Sequence, residues 1–324
     1  TLASGVTVAL KSNGQVEAIS GVAGGGGTPT VFGASIELSS VPSIVYDTLN
    51  DKVVISYAEN TSCYSVVGTV SGTSISFGTP VSFGANAFSG ANAGISSAFD
   101  SNSNKVVVTF KDSSNSNYVT IRVGTVSGTS ISFGSALHEY IPIDDDTATV
   151  FDSTNNKIVV FFRNTFNNTG GCQVGTVSGT SISLGAQQTF VAATAYPQYM
   201  SAVFDSDSGK TVTVYRAVSS NNNYGTAFVG TVSGTSISFG TSVVYESSDS
   251  TYNTLAYDST TGKVVIGFRA NTYGNAIVGT VSGTSISFGT KNVWHSADTN
   301  EISLAYDIPK SKIVLSYRDS SNGY

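Results

Sequence analysis

Charge is what this chain has least of. Only 11% of its 324 residues are Asp, Glu, Lys or Arg, and the formal net charge is −6. No basic stripe is available to neutralise phosphates, so a nucleic-acid partner is not expected. Cysteine is nearly absent. Cys63 and Cys172 stand at non-equivalent offsets in the repeats described below, which argues against a disulfide between them. His138 and His295 are the only histidines, and they do not form the clustered donor set of a metal site. No run of about 18 apolar residues occurs, so no membrane span is predicted. No basic segment followed by an apolar one marks a signal peptide. Helical periodicity is missing throughout. The 40% of hydrophobic residues still suits a folded body, and the reading that remains is all-β.

What is present is repetition. The nine residues GTVSGTSIS begin at 68, 124, 175, 230 and 279, each followed by Phe-Gly or Leu-Gly. A second signal is cleaner. An aromatic–Asp pair occurs at Tyr46-Asp47, Phe99-Asp100, Phe151-Asp152, Phe204-Asp205, Tyr257-Asp258 and Tyr306-Asp307, with Lys five residues after each Asp. The Asp-to-Asp steps are 53, 52, 53, 53 and 49, which makes six repeats. In residues 253–301 the pattern reads as four strands: Asn253–Tyr257, Lys263–Arg269, Ala276–Val281 and Thr284–Phe288. An Asp turn follows the first strand, a loop over 270–275 the second, and a tight Ser-Gly turn the third. Six units of four antiparallel strands predict a six-bladed β-propeller. It is read as one domain over 1–324, with repeats beginning near 42, 95, 147, 200, 253 and 302. The first strand carries small residues and is placed innermost, and the GTVSGTSIS hairpin is placed on the outer rim.

The last repeat stops after its second strand. Residues 1–40 are expected to supply the missing strands and close the last blade. Val6–Leu10 and Gln15–Ile19 form a hairpin around Asn13-Gly14, and Thr28–Ser35 matches the register of Thr79–Asn86. Gly24–Gly27 reads as an excursion within that blade. The alternatives are a fragment whose repeats continue past Tyr324, and an open solenoid.

Divergence between copies points to the functional face. The Asp turns and Ser-Gly turns are nearly uniform, whereas the loops after the second strand and between repeats all differ. A basic residue follows the second strand in five repeats: Lys111, Arg163, Arg216, Arg269 and Arg318; the first repeat has Ala58 there. An aromatic follows each: Tyr64, Tyr118, Phe166, Tyr224, Tyr273 and Tyr324. Flat rings cover a sugar face and amides bond its hydroxyls, so this face is read as a binding surface for a cell-surface glycan or protein. The alternative for any single residue is that Arg pairs with a neighbouring blade's acid and Tyr caps its loop. Acids gather between repeats: Glu139, Asp144, Asp145, Asp146, Glu246, Asp249, Asp298 and Glu301. Asp144, Asp145 and Asp146 are weak Ca²⁺ candidates. Adjacent strand residues point to opposite sides, so a solvated acidic tip is preferred and no metal or other cofactor is expected. A glycosidase needs two carboxylates flanking the scissile bond, and the sequence does not show two converging. GxSxG, HExxH and P-loop motifs are missing. The chain is therefore expected not to be an enzyme.

The segments GTVSGTSISFGT (279–290) and LAYDSTTGKVVIGFR (255–269) carry a further signal, as does the opening ASGVTVALKSNGQVEAISG (3–21). The repeat resembles the Ser/Gly-rich β-propeller repeats of tail-fibre and other virion-associated proteins of marine bacteriophages. The opening is similar to the start of phage tail-fibre or capsid-accessory proteins. The resemblance implies a structural or receptor-binding virion component whose partners include other virion proteins, and multiple copies would strengthen weak contacts by avidity. It implies no catalytic residues. The rival readings are a secreted or cell-surface lectin-like adhesin of a bacterium and a glycan-cleaving propeller enzyme.

Overall fold

The computed structural model describes residues 8–10, 16–18, 42–85, 94–219 and 222–321. The Asn13-Gly14 turn, Gly24–Gly27, Thr28–Ser35 and Tyr324 lie outside the described residues. Repeat five shows the construction. Val243–Asp258, Lys263–Ala270, Tyr273–Ser282 and Ser285–Phe288 form an antiparallel meander, with partners Asp258↔Lys263, Ala270↔Tyr273 and Ser282↔Ser285. The second strand reads as an unbroken apolar run because it is central. Val264, Val265, Ile266 and Phe268 are all fully buried, on both faces of the sheet.

The turn Asp works as the sequence suggests. Asp258 accepts from the backbone N–H of Thr260 at 3.0 Å and of Thr261 at 3.2 Å, and from the Thr261 hydroxyl at 2.7 Å. Asp47, Asp100, Asp152 and Asp205 take the same two backbone bonds. The Lys five residues on serves a different partner. Lys263 Nζ donates to Thr280 Oγ1 at 2.9 Å and Lys157 Nζ to Thr176 Oγ1 at 2.8 Å, which ties the second strand to the Thr of GTVSGTSIS. The aromatic before the Asp reaches back one repeat, as where the backbone N–H of Asp207 donates to the Tyr257 hydroxyl at 3.3 Å.

Each glycine of the repeated hairpin has its own reason. At Gly279 a Cβ would stand 2.7 Å from Ile286 Cδ1, so the first glycine makes room for the hairpin's own Ile. Gly283 has φ 62° and makes the tight turn. Gly240, after the outer strand of repeat four, lies against the next repeat. A Cβ there would fall well inside 3.0 Å of the Thr284 carbonyl oxygen at the tip of the next hairpin. The same joint links Gly78 to Thr129, Gly134 to Thr180 and Gly185 to Thr235. The backbone N–H of Gly240 donates to Val229 O at 3.0 Å, which fixes its approach. The uniform hairpin is thus a repeat-to-repeat joint.

The segments between repeats are strands, where loops are expected from the sequence. The third strand has ten residues and the outer SISF strand only four. Its uncovered half needs a partner for its backbone, and the departing chain supplies it. Asn292–His295 pairs with residues 274–276, and Val81–Ala85 with residues 62–65. In repeats three and five this lead runs on without interruption as the next innermost strand, giving the 16-residue strands Leu137–Asp152 and Val243–Asp258.

The described residues group into two compact units. One holds 24–193 with 234–236 and contains a five-stranded and a nine-stranded sheet. Its cores lie between consecutive repeats. Val54, Val67 and Phe83 pack with Val106, Val108 and Phe110, and Val119 and Ile121 with Ile158 and Phe162. Cys63 and Cys172 are free and buried there. Burial pushes both thiols up to about 12, which leaves them unreactive. The other unit holds 1–23, 194–233 and 237–324. It is built likewise, with Val212, Val214 and Val229 against Ile266, Phe268 and Ile277. Its four-stranded sheet has the order Val16–Ala18, Val8–Leu10, Lys312–Asp319, Thr299–Asp307. The N-terminal hairpin is therefore added to the last repeat, with Val8↔Leu315 and Leu10↔Ile313.

Candidate functional site

The innermost strands carry a fault at one fixed place, six residues before the turn Asp. Pairing shifts register between Gln198 and Ser201, between Thr251 and Thr254, and between Asn300 and Ser303. At these bulges Tyr199, Tyr252 and Glu301 adopt φ of 50°, 53° and 52°. In the other unit Gly94 occupies the same place with φ 55°, and Ile143–Thr147 carries a register shift around Asp146. Left-handed backbone costs a non-glycine residue about 1–2 kcal/mol, and two tyrosines in a row bear it. Strain of this kind collects at functional sites.

Around the first bulge the side chains converge. The rings of Tyr199 and Tyr252 lie 5.5 Å apart at 56°, and Asn253 Nδ2 donates to the Tyr199 carbonyl at 3.3 Å. Arg216 stands opposite Gln198 in the strand pairing. Its guanidinium lies 5.8 Å from the Tyr199 ring centroid and donates to Gln198 Oε1 at 3.4 Å. Nη2 donates to Asp249 Oδ2 at 3.4 Å, and Nε lies 2.9 Å from Oδ1 in the ion pair. Tyr224 is placed beside them by its pairing with Asp249 and Ala217. One repeat on, Arg269 stands opposite Thr251 and pairs with Asp298 at 2.9 Å. Beyond it, Arg318 stands opposite Asn300 and pairs with Glu301 at 3.1 Å.

In the other unit Arg163 pairs with Asp144 and also donates to Asn168 Oδ1 at 3.3 Å. Lys111 is buried. Tyr64 stacks on buried Tyr57 at 5.9 Å, and Tyr118 meets the exposed Tyr140 edge-on at 5.7 Å. Phe166 is exposed. Tyr273 is exposed and begins the third strand after Asn271 and Thr272, whose φ of 51° and 69° make a two-residue hairpin of the region 270–275. Of the acidic triplet, Asp144 is held by Arg163 and Asp146 is half-buried, while the Asp145 side chain lies outside the described residues. Among the described residues no group of three His, Cys, Asp or Glu is placed to hold a metal ion. His295 lies between Thr299 and Asp319, with Nδ1 2.8 Å from the Thr299 hydroxyl and Nε2 3.3 Å from the Asp319 carboxylate.

Arg163, Arg216, Arg269 and Arg318 each pair with an acid, and for Arg318 that acid, Glu301, lies in its own repeat and not in a neighbouring one. Tyr199, Tyr252 and Gln198 are new. Their signal lies in the alignment of copies on the turn Asp, where Gly94 shares a column with Tyr199 and Tyr252. A glycine in a strand column marks a bulge or positive φ.

Two buried acids give a pH dependence. Burial acts to raise the pKa of Asp258, but hydrogen bonds from the Thr261 and Tyr306 hydroxyls and the turn backbone outweigh it and hold it below its ordinary value. Glu246 behaves alike, with Lys291 at 2.6 Å and Ser248 outweighing burial. A carboxyl with a depressed folded pKa stabilises the fold above its unfolded value, about 3.9 for Asp and 4.3 for Glu. That contribution is lost as pH falls through the folded value. Urea midpoints are expected to be flat from pH 7 to 5 and to fall below about pH 4. Asp258→Asn and Glu246→Gln should each flatten part of that fall. A midpoint that rises on acidification would contradict these assignments.

No family model matches the chain, and no curated protein matches it. Solved structures do. A protein from Lactobacillus plantarum is similar over 100% of this chain and 91% of its own, with a TM-score of 0.62 at 12% identity. A putative 6-phosphogluconolactonase from Bacteroides uniformis is similar over 96% of this chain and 87% of its own, with a TM-score of 0.57 at 11% identity. AofleA from Arthrobotrys oligospora is similar over 88% of this chain and 81% of its own, with a TM-score of 0.53 at 10% identity. At these identities the likeness concerns the fold, which is all-β and of the β-propeller type. The expectation that the chain is not an enzyme is corrected here. Nearly its whole length shares a fold with a putative lactonase. Missing GxSxG, HExxH and P-loop motifs do not separate it from enzyme-bearing propellers, because fold and chemistry are set independently and sites are built on variable loops. No helix among the described residues is long and apolar enough to cross a membrane.

Proposed function

We propose that this protein recognises carbohydrate through the surface formed by the left-handed tyrosines Tyr199 and Tyr252 and the Arg216–Asp249 and Arg269–Asp298 pairs beside them. The observation that carries the reading is the cluster of Arg216, Asp249, Gln198, Tyr199 and Tyr252. Half-buried rings offer flat faces to the apolar side of a pyranose. A guanidinium held by Asp249 has its plane fixed before a ligand arrives, which lowers the ordering cost of binding. Carboxylate and amide oxygens accept from sugar hydroxyls. Strained backbone beneath the rings favours a functional reason for them over a packing one.

The finer architecture belongs to the same proposal: a single body of six four-stranded blades, the last completed by the N-terminal hairpin. The six Asp turns and the addition of Val8–Leu10 and Val16–Ala18 to the last repeat support it. The resemblance of the repeats to virion-associated propellers supports a setting on a phage particle, with a host surface glycan and neighbouring virion proteins as partners. A bacterial surface adhesin uses the same chemistry from a different anchor. Co-purification with particles or with a cell envelope tells the two apart.

The test is a glycan array probed with the wild type and with the double variant Arg216→Ala, Tyr224→Ala. Binding should fall at least about tenfold, as expected on losing a charged hydrogen bond, with the melting temperature little altered. Asp258→Ala with Lys263→Ala should lower the melting temperature and leave the affinity of the folded protein intact. The reverse pattern would sink the assignment. Assay of the same incubations for reducing ends reads whether a bound glycan is also cleaved.

A further inference from the structure

The arginines of this surface are not free to meet an anion. Arg216, Arg269 and Arg318 each hold a carboxylate, from Asp249, Asp298 and Glu301 in turn. Lys291 is likewise engaged with Glu246. In the Arg216 and Arg269 pairs the acid is the outer partner, whereas in the Lys291–Glu246 pair the cation is, 37% exposed against 5%. The Asp249 side chain is 56% exposed against 17% for Arg216, and Asp298 43% against 27% for Arg269. Glu301 and Arg318 are about equal. A ligand approaching the rings of Tyr199 and Tyr252 meets carboxylate oxygens first and guanidinium groups behind them. The chain as a whole adds to this bias with its net charge of −6.

Resting on the carbohydrate reading, we infer that the ligand is an uncharged glycan whose hydroxyls donate to Asp249 and Asp298, and that sialylated, uronic and sulfated glycans are turned away by these carboxylates. Hydrogen bonds from a neutral donor to an ionised acceptor are the strong kind. Like charges brought together across an interface suppress the wrong partner. The two paired arginines hold the acids in place, so their role toward an uncharged sugar is to position the acceptors and to offer the N–H groups that the acids leave over.

The sign of one substitution separates the cases. An array would carry uncharged oligosaccharides ending in galactose, glucose, mannose or fucose, beside sulfated and sialylated forms of the same chains. The protein should bind among the uncharged set and lose that binding on sulfation or sialylation. Asp249→Asn should weaken the binding roughly tenfold, and Asp298→Asn should change it in the same direction, with both melting temperatures close to the wild type. Tighter binding to the charged forms, or a gain in affinity with Asp249→Asn, overturns this inference and leaves carbohydrate recognition standing. Absence of binding to every glycan by folded protein overturns carbohydrate recognition and this inference with it.

Discussion

Replacing Gly240 with alanine is expected to destabilise the protein by about 3 kcal/mol, at the upper end of what overpacking costs. The atom a new methyl would strike is the Thr284 carbonyl oxygen, part of the main chain at the tip of the next hairpin. No rotamer change relieves that contact, so one strand or the other must move. The Gly240 N–H is committed to Val229 O at 3.0 Å, and movement on that side strains a bond inside the sheet. Gly283→Ala is the matched control. It lies in the same hairpin with φ 62°, but a Cβ there meets nothing within 4 Å. Its cost is backbone strain alone, about 1–2 kcal/mol. Urea denaturation at constant slope measures both. Equal losses for the two variants would show that the joint between repeats is loose.

The second large effect is on binding and leaves stability nearly alone. Tyr199→Gly removes a ring and relieves a left-handed backbone at the same residue. Relief is worth about 1–2 kcal/mol. Against it stand the aromatic contact with Tyr252, about 0.5–1.5 kcal/mol, and the Arg216 cation–π contact, about 0.5–1 kcal/mol. Glycine's extra freedom in the unfolded chain subtracts a further ~0.5–1 kcal/mol. The central values sum to a loss of about 1 kcal/mol, whereas affinity for an uncharged glycan should fall at least about tenfold, since stacked aromatic anchors dominate such interfaces. Isothermal titration beside chemical denaturation reads both. A loss of more than about 2 kcal/mol with affinity intact would mean that the ring serves the fold and that the strain has no part in binding.

Much of this was legible in the residues. Asp258 and its five counterparts announce the turns because a short acceptor side chain two residues before unpaired N–H groups has few other uses. The run Lys263–Arg269 announces a strand by its β-branched and aromatic residues. The third glycine, at Gly78, Gly134, Gly185 and Gly240, is harder. Its cause lies some fifty residues ahead, in a carbonyl of the next copy, and no local propensity encodes that. The strands between repeats were hidden for a similar reason. Asn292–His295 pairs because the strand beside it has an uncovered half, which is a fact about its neighbour. At the site, Arg216 and Tyr224 are visible as recurring types, but Tyr199 and Tyr252 are not. Tyrosine is a good strand former, and only the glycine at position 94 of an earlier copy betrays the backbone they are made to adopt.

The joint between hairpins also bears on how such a chain can change. The glycine that receives and the threonine that is received recur with nearly constant spacing, at Gly78 and Thr129, Gly134 and Thr180, Gly185 and Thr235, and Gly240 and Thr284. A crossover between any two copies of the stretch encoding GTVSGTSIS therefore restores a complete joint on either side of the break. What such an exchange carries across whole is the material between the joints, namely a bulge, an arginine, its acid and a loop. Misaligned recombination, ordinarily ruinous inside a coding region, here would exchange loop segments on a frame that already fits.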